Sequence, residues 1–75
     1  MEKLNRYPKE YEKVKAIIHW WRSKLNGEHV GFVVKRPFRA RSGALLRPFK
    51  CESCQKKHCI PWTSRTDIIE FYKVN

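Results

Sequence analysis

Acidic residues are scarce: 7 Asp and Glu face 17 Lys and Arg in a chain of 75 residues, which leaves a formal net charge of +10. An imbalance of that size excludes a neutral surface and makes anionic partners the first expectation. Long apolar runs are also missing. Nothing approaches the roughly 20 residues of a membrane span, and Met1 to Arg6 lead into a charged segment rather than a signal-peptide core. The chain is therefore expected to be intracellular, cytoplasmic or in the nucleoid or nucleus, not secreted, with no membrane partner.

Cysteine is sparse and odd in number. Cys51, Cys54 and Cys59 lie within nine residues, which suits a reduced compartment with a metal or thiol role better than a secreted disulfide framework. No low-complexity segment occurs, and the single echo of Arg36-Pro37-Phe38 in Arg47-Pro48-Phe49 is too short to be a repeat architecture. The length excludes a multidomain enzyme. A single domain of this size buries only about 60% of its unfolded surface, so a metal, a disulfide or a partner commonly supplies the missing stability.

The hydrophobic pattern predicts an α+β domain. Tyr11, Val14, Ile18, Trp21 and Leu25 step by three and four, with Ile17 and Trp20 widening the stripe, so an amphipathic N-terminal helix is expected over about 8–26. Pro8 suits its first turn and Asn26-Gly27 its stop. From His29 the period changes to two, with Val30, Phe32 and Val34 on one face of a strand. Ser42-Gly43 marks the turn of a basic hairpin within about 29–50, whose prolines confine it to edge positions. The knuckle occupies 51–59. Over about 65–74, Ser64 and Asp67 resemble a capping box and favour a short C-terminal helix, although Ile68 to Val74 has the composition of a strand.

The most informative motif is Cys51-Glu52-Ser53-Cys54-Gln55-Lys56-Lys57-His58-Cys59. A C-x2-C pair lets two thiolates close on one ion from a tight turn, and four ligands complete a structural zinc site. The expected set is Cys51, Cys54, Cys59 and His58, with His29 or His19 as the alternative fourth ligand. Adjacent residues such as His58 and Cys59 point apart, and a distant histidine would tie the knuckle to the strand or the helix. There is no second C-x2-C pair of the kind a zinc ribbon carries. A redox pair would instead open a helix in a larger fold, although Lys50, Lys56 and Lys57 would favour thiolates in either case.

A second constellation is cationic. Lys35, Arg36, Arg39, Arg41, Arg47, Lys50, Lys56 and Lys57 are interleaved with Phe38 and Phe49, a composition suited to holding phosphates while aromatic faces stack on bases. Four of the eight are Arg, whose fork matches phosphate oxygens. The signature of an RNA-recognition sheet, the order of a DNA-reading finger and a helix-turn-helix pair are all absent, so base-specific readout is not expected. Trp20 and Trp21 are candidates for contact with a protein partner. His19, His29, His58, Asp67 and Glu70 are scattered without the spacing of a catalytic site, so neither an enzyme nor a small-molecule substrate is expected. The expected function is non-catalytic binding of nucleic acid, RNA ahead of DNA, within a larger nucleoprotein, transcription or translation complex. The alternative is a small regulator or inhibitor that engages an acidic surface of a protein such as a polymerase.

Overall fold

The computed structural model describes residues 2–74, and they form an all-β domain with no helix. The strands are β1 (Val14–Ile18), β2 (Gly27–Val33), β3 (Phe38–Arg39), β4 (Leu45–Cys51), β5 (Lys56–Pro61) and β6 (Ile69–Lys73). All pairings are antiparallel, in the order β3-β4-β2-β1-β6, with β5 on the other side of β4. No helix long and apolar enough to cross a membrane is present among the described residues.

The expected N-terminal helix is replaced by a strand and a turn. Val14 and Ile18 are four apart, a spacing that a helix face and a strand face both satisfy, and Val-Lys-Ala-Ile-Ile is rich in β-branched residues. Ala16, outside the helical stripe, is fully buried between Val14 and Ile18, so the period is two. Trp20 to Asn26 form the connection to β2, where the Ser23 amide donates to the Trp20 carbonyl at 2.8 Å and the Ser23 hydroxyl accepts from the Leu25 amide at 3.0 Å. Tyr11, Trp20 and Trp21 stand exposed instead of lining a core stripe. The expected C-terminal helix is likewise a single turn, in which the Ile68 and Ile69 amides reach the Arg65 carbonyl before the chain enters β6 beside β1. The Ser64–Asp67 signal thus starts a turn, and the β-branched run after it continues as a strand.

The alternation in β2 is present: His29, Gly31 and Val33 are buried, while Val30 and Phe32 are half-buried on the other side. The Ser42-Gly43 hairpin forms between β3 and β4, with Gly43 at φ 88° and the Ala40 amide donating to Ala44 at 2.8 Å. Its second strand is interior rather than an edge. Pro48 is accommodated because β4 changes partner there, from β3 at Leu45 and Leu46 to β2 at Phe49–Cys51, and the Pro48 carbonyl still accepts from the Val34 amide at 3.1 Å.

The core lies on one face of the sheet and draws on five strands: Val14, Ala16 and Ile18, then Val33, Phe49, Cys51, Ile60, Ile69 and Phe71. The outer ends of the sheet are joined. Residues before β1 run beside β6, with the Leu4 amide on the Phe71 carbonyl at 2.8 Å, and the Tyr7 hydroxyl donates to the Pro61 carbonyl at 2.9 Å. Tyr7 packs edge-on against Phe71 with ring centroids 4.8 Å apart, and burial pushes its phenol well above the usual range.

The loop ahead of β1 is fastened by Glu12. Its carboxylate accepts two hydrogen bonds from the Arg6 guanidinium, at 2.7 and 2.8 Å, and one from the Lys9 amide at 2.9 Å. The Arg6 bonds, followed by the Lys9 amide, hold the carboxyl down to about 2. A carboxyl depressed on folding stabilises the fold above its unfolded value near 4.5, and that contribution is lost as pH falls toward 2. Wild type is therefore expected to exceed Glu12→Gln by about 1 kcal/mol in urea unfolding at pH 6, with the difference shrinking below pH 4 and lost only below pH 2. An equal difference above and below that range would show that the pair does not act through its charge.

Candidate metal centre

Four side chains from three strands and one loop converge beside the core. His29 comes from the middle of β2, Cys51 ends β4, Cys54 lies in the four-residue loop, and His58 comes from β5. One potential ligand atom from each lies within 4.8 Å of all the others, so the group could hold a metal ion. Cys51 Sγ is 3.6 Å and Cys54 Sγ 3.5 Å from His29 Nδ1.

The surroundings orient these donors. His29 Nε2 lies 2.7 Å from the Leu25 carbonyl, which can only accept, and this contact fixes the ring so that Nδ1 faces both sulfurs. Gln55 at φ 57° turns the loop back into β5, and the Cys54 amide points at Cys51 Sγ from 3.4 Å. Ser53 ties the loop to β2, its hydroxyl 3.2 Å from the Val30 amide and 3.0 Å from Cys51 Sγ. Burial opposes ionisation of Cys51, but the Ser53 hydroxyl, the Cys54 amide and thiol and His29 outweigh it and bring the thiol down to about 7. Cys54 is raised by its bond to Cys51, as expected when two thiols share one negative charge. Burial, then the charges of His29 and Lys56, lowers His58.

His58 Nε2 is buried without a hydrogen-bond partner, the one such side-chain atom among the described residues. A buried polar atom left unpaired is costly, and a metal ion is a partner that a lone pair can take. The His58 ring stands edge-on to His29, with centroids 5.3 Å apart.

Of the ligands expected from sequence, Cys51, Cys54 and His58 are brought together, and His29 joins them. Cys59 does not: the period of two along β5 puts His58 and Ile60 on the inner face and leaves Cys59 exposed on the outer one. His19 is paired with Glu70 at 2.7 Å, away from the cluster. Ser53 was not singled out from sequence, where a serine between two cysteines carries no signal of its own.

The cations divide by location. Six acids, Glu2, Glu12, Glu28, Glu52, Asp67 and Glu70, are held by Lys73, Arg6, Lys15, Lys13, Arg65 and Lys3. Those basic partners all lie before β2 or after β5. None of the eight cations from Lys35 to Lys57 is in an ion pair among the described residues. Lys50 and Lys57 share the outer face as register partners. Arg39 caps its own turn at the Gly43 carbonyl, 2.7 Å away, and Arg47 donates to the Lys35 carbonyl at 3.0 Å with its guanidinium over Tyr7. Of the interleaved aromatics, Phe49 is core and Phe38 is exposed. Trp21 is capped by Arg22, 4.7 Å from its ring centroid.

The fold and the site together define a small six-stranded antiparallel domain with a Cys2His2 cluster. Comparison with protein-family models, with curated proteins and with solved structures found no match to the chain.

Proposed function

We propose that this domain is a non-catalytic nucleic-acid-binding accessory of a larger nucleoprotein, transcription or translation complex, stapled by a structural zinc ion. The observation that carries the nucleic-acid reading is the segregation of charge. Every acid but Glu10 is neutralised within the fold, and the whole cationic run from Lys35 to Lys57 is left for an external anion. A phosphate backbone, RNA ahead of DNA, is the polyanion such a surface fits.

Zinc is supported by the donor set. Tetrahedral zinc with ordinary bond lengths separates a thiolate from an imidazole nitrogen by about 3.6 Å, close to the 3.6 and 3.5 Å between His29 Nδ1 and the two sulfurs. Four protein donors of this kind complete a closed site, which fits a structural role rather than a catalytic one.

Salt titration tests the nucleic-acid reading. The logarithm of affinity for RNA should fall against the logarithm of salt with a slope equivalent to roughly four or more phosphates. Arg39→Ala with Arg41→Ala should weaken binding to every sequence alike and reduce that slope by about two. A slope near zero would remove the reading. One observation favours the alternative, a regulator on the acidic surface of a protein such as a polymerase: Trp20, Trp62 and Leu45 border an apolar cleft of about 410 Å³ with Arg39 beside it. Capture of an acidic protein that is lost with Trp20→Ala, alongside a flat RNA salt response, would decide for it.

A further inference from the structure

We infer that the outer face of the sheet, where Tyr11 and Phe32 stand beside Lys50 and Lys57, is a stacking platform for single-stranded nucleic acid. The inference rests on the nucleic-acid reading above and assigns to it a surface and a strandedness. Phe32, Lys50 and Lys57 are register partners on three adjacent strands, so they form one row across β2, β4 and β5 on the face opposite the core. A phenylalanine is placed there although Val33, its neighbour in sequence, already fills the core position.

Two features of this row are unfavourable to the isolated fold. Lys50 and Lys57 are directly opposite one another, and like charges in that arrangement repel. Neither has an acidic partner among the described residues, and the nearest acid in sequence, Glu52, is taken by Lys13 at 2.9 Å. Tyr11 adopts φ 65°, a left-handed conformation unfavourable for a bulky side chain, while its amide donates to the Val33 carbonyl at 2.9 Å. The result is a residue that is 66% exposed, its ring tilted against Phe32 with centroids 5.9 Å apart. The exposed Tyr11 ring, with half-buried Phe32 beside it and two cations in the same row, matches an unpaired base and its phosphates, because the ring stacks and the ammonium groups neutralise the backbone. A duplex, whose bases are already stacked, offers this platform only phosphates.

The same features make the test clean. Tyr11→Gly relieves the left-handed strain, so this variant should unfold no more readily than wild type in urea. Binding of the full chain is measured by anisotropy to fluorescein-labelled 12-mers of rU and dT and to a duplex of equal length. Tyr11→Gly is expected to lose about tenfold in affinity for the single strands and little for the duplex, with Tyr11→Phe restoring the loss. Lys50→Ala with Lys57→Ala should weaken all three ligands and reduce the salt slope by about two without lowering stability. The ranking of rU against dT assigns RNA or DNA. Wild-type single-strand affinity in Tyr11→Gly overturns the platform and leaves the salt-dependent reading standing. Failure of the wild-type chain to bind any of the three removes both. Tight binding to polyglutamate that is indifferent to Tyr11→Gly moves the face to an acidic protein and overturns the platform as well.

Discussion

Cys51→Ser is expected to unfold this domain at room temperature, while Cys59→Ser leaves its stability within about 0.5 kcal/mol of wild type. The two cysteines are separated by their surroundings. Cys51 is 1% exposed, belongs to the core cluster and faces His29, whereas Cys59 is exposed on the opposite face of β5. In small metal domains the binding free energy of zinc is folding free energy, about 10–16 kcal/mol at neutral pH in zinc-finger peptides. The total stability of a domain is only about 5–15 kcal/mol. Here the fully buried apolar set is small, so with zinc in the cluster, as proposed, losing one ligand or chelating the ion should remove most of the margin. Circular dichroism and urea unfolding, with metal content measured on freshly purified, reduced protein, decide the matter. Protein that contains no zinc and unfolds at the same urea concentration with and without chelator would eliminate the structural metal. Equal destabilisation by Cys51→Ser and Cys59→Ser would point to a ligand set other than the one assembled by β2, β4 and β5.

Gly31→Ala is expected to cost about 3 kcal/mol or more and to loosen the Cys–His cluster, and with it the proposed zinc site, as well. Gly31 is not in a left-handed conformation, so the reason is spatial. A methyl group there would collide with the backbone carbonyl of Lys50, and Cys51 is the register partner of Gly31 across the β2–β4 pair. A flexible side chain could move aside, but a strand backbone moves only by breaking its ladder. The strand that would shift ends in Cys51, and its neighbour carries His29 two residues before the glycine. Separation of β2 from β4 therefore separates one sulfur from one imidazole. Urea unfolding at saturating zinc should show the lower stability, and competition with a chromogenic chelator should show faster zinc release. An unchanged unfolding midpoint in Gly31→Ala would mean that β4 does not approach β2 so closely.

Parts of this molecule were legible before the fold was known, and the reason differs from part to part. The Cys51–Cys54 spacing needs only a tight turn to bring two sulfurs together, so the sequence contains that half of the site. His58 is also local, reached along the hairpin from Cys54. The choice between His58 and Cys59 followed in principle from adjacent residues pointing apart, but which of them faced inward depended on the register of β5 with β4. His29 stood among the alternatives because no local rule brings a residue 22 positions before Cys51 to the same cluster. The choice of which face of β2 is buried has the same origin. Val30 and Phe32 are the more hydrophobic set, yet β2 pairs with β4 so that His29, Gly31 and Val33 meet the core.

The N-terminal segment shows the limit of periodicity in a short chain. Val14, Ile18, Trp21 and Leu25 satisfy a helix, and the two positions that the strand also buries, Val14 and Ile18, lie at a spacing common to both periods. The decision was tertiary. β1 is flanked by β2 and β6, and their backbone groups satisfy its own in a way that an isolated five-residue strand could not achieve. The same pairing decided the C-terminus, where β6 found a partner in β1 and the capping signal was reduced to one turn.

By itself the sequence determined composition and local chemistry: a surplus of ten positive charges, concentrated before residue 60, a turn at Ser42-Gly43, and a C-x2-C knuckle ready for a metal. Those properties are carried by residues close together in the chain. Tertiary structure alone decided that His29 would complete the cluster, that Cys59 would stay outside, that the acids would be used up around β1 and β6, and that Phe32, Lys50 and Lys57 would align in one row. Each of these depends on strand register between distant segments, and register is set by the whole sheet burying one face at once.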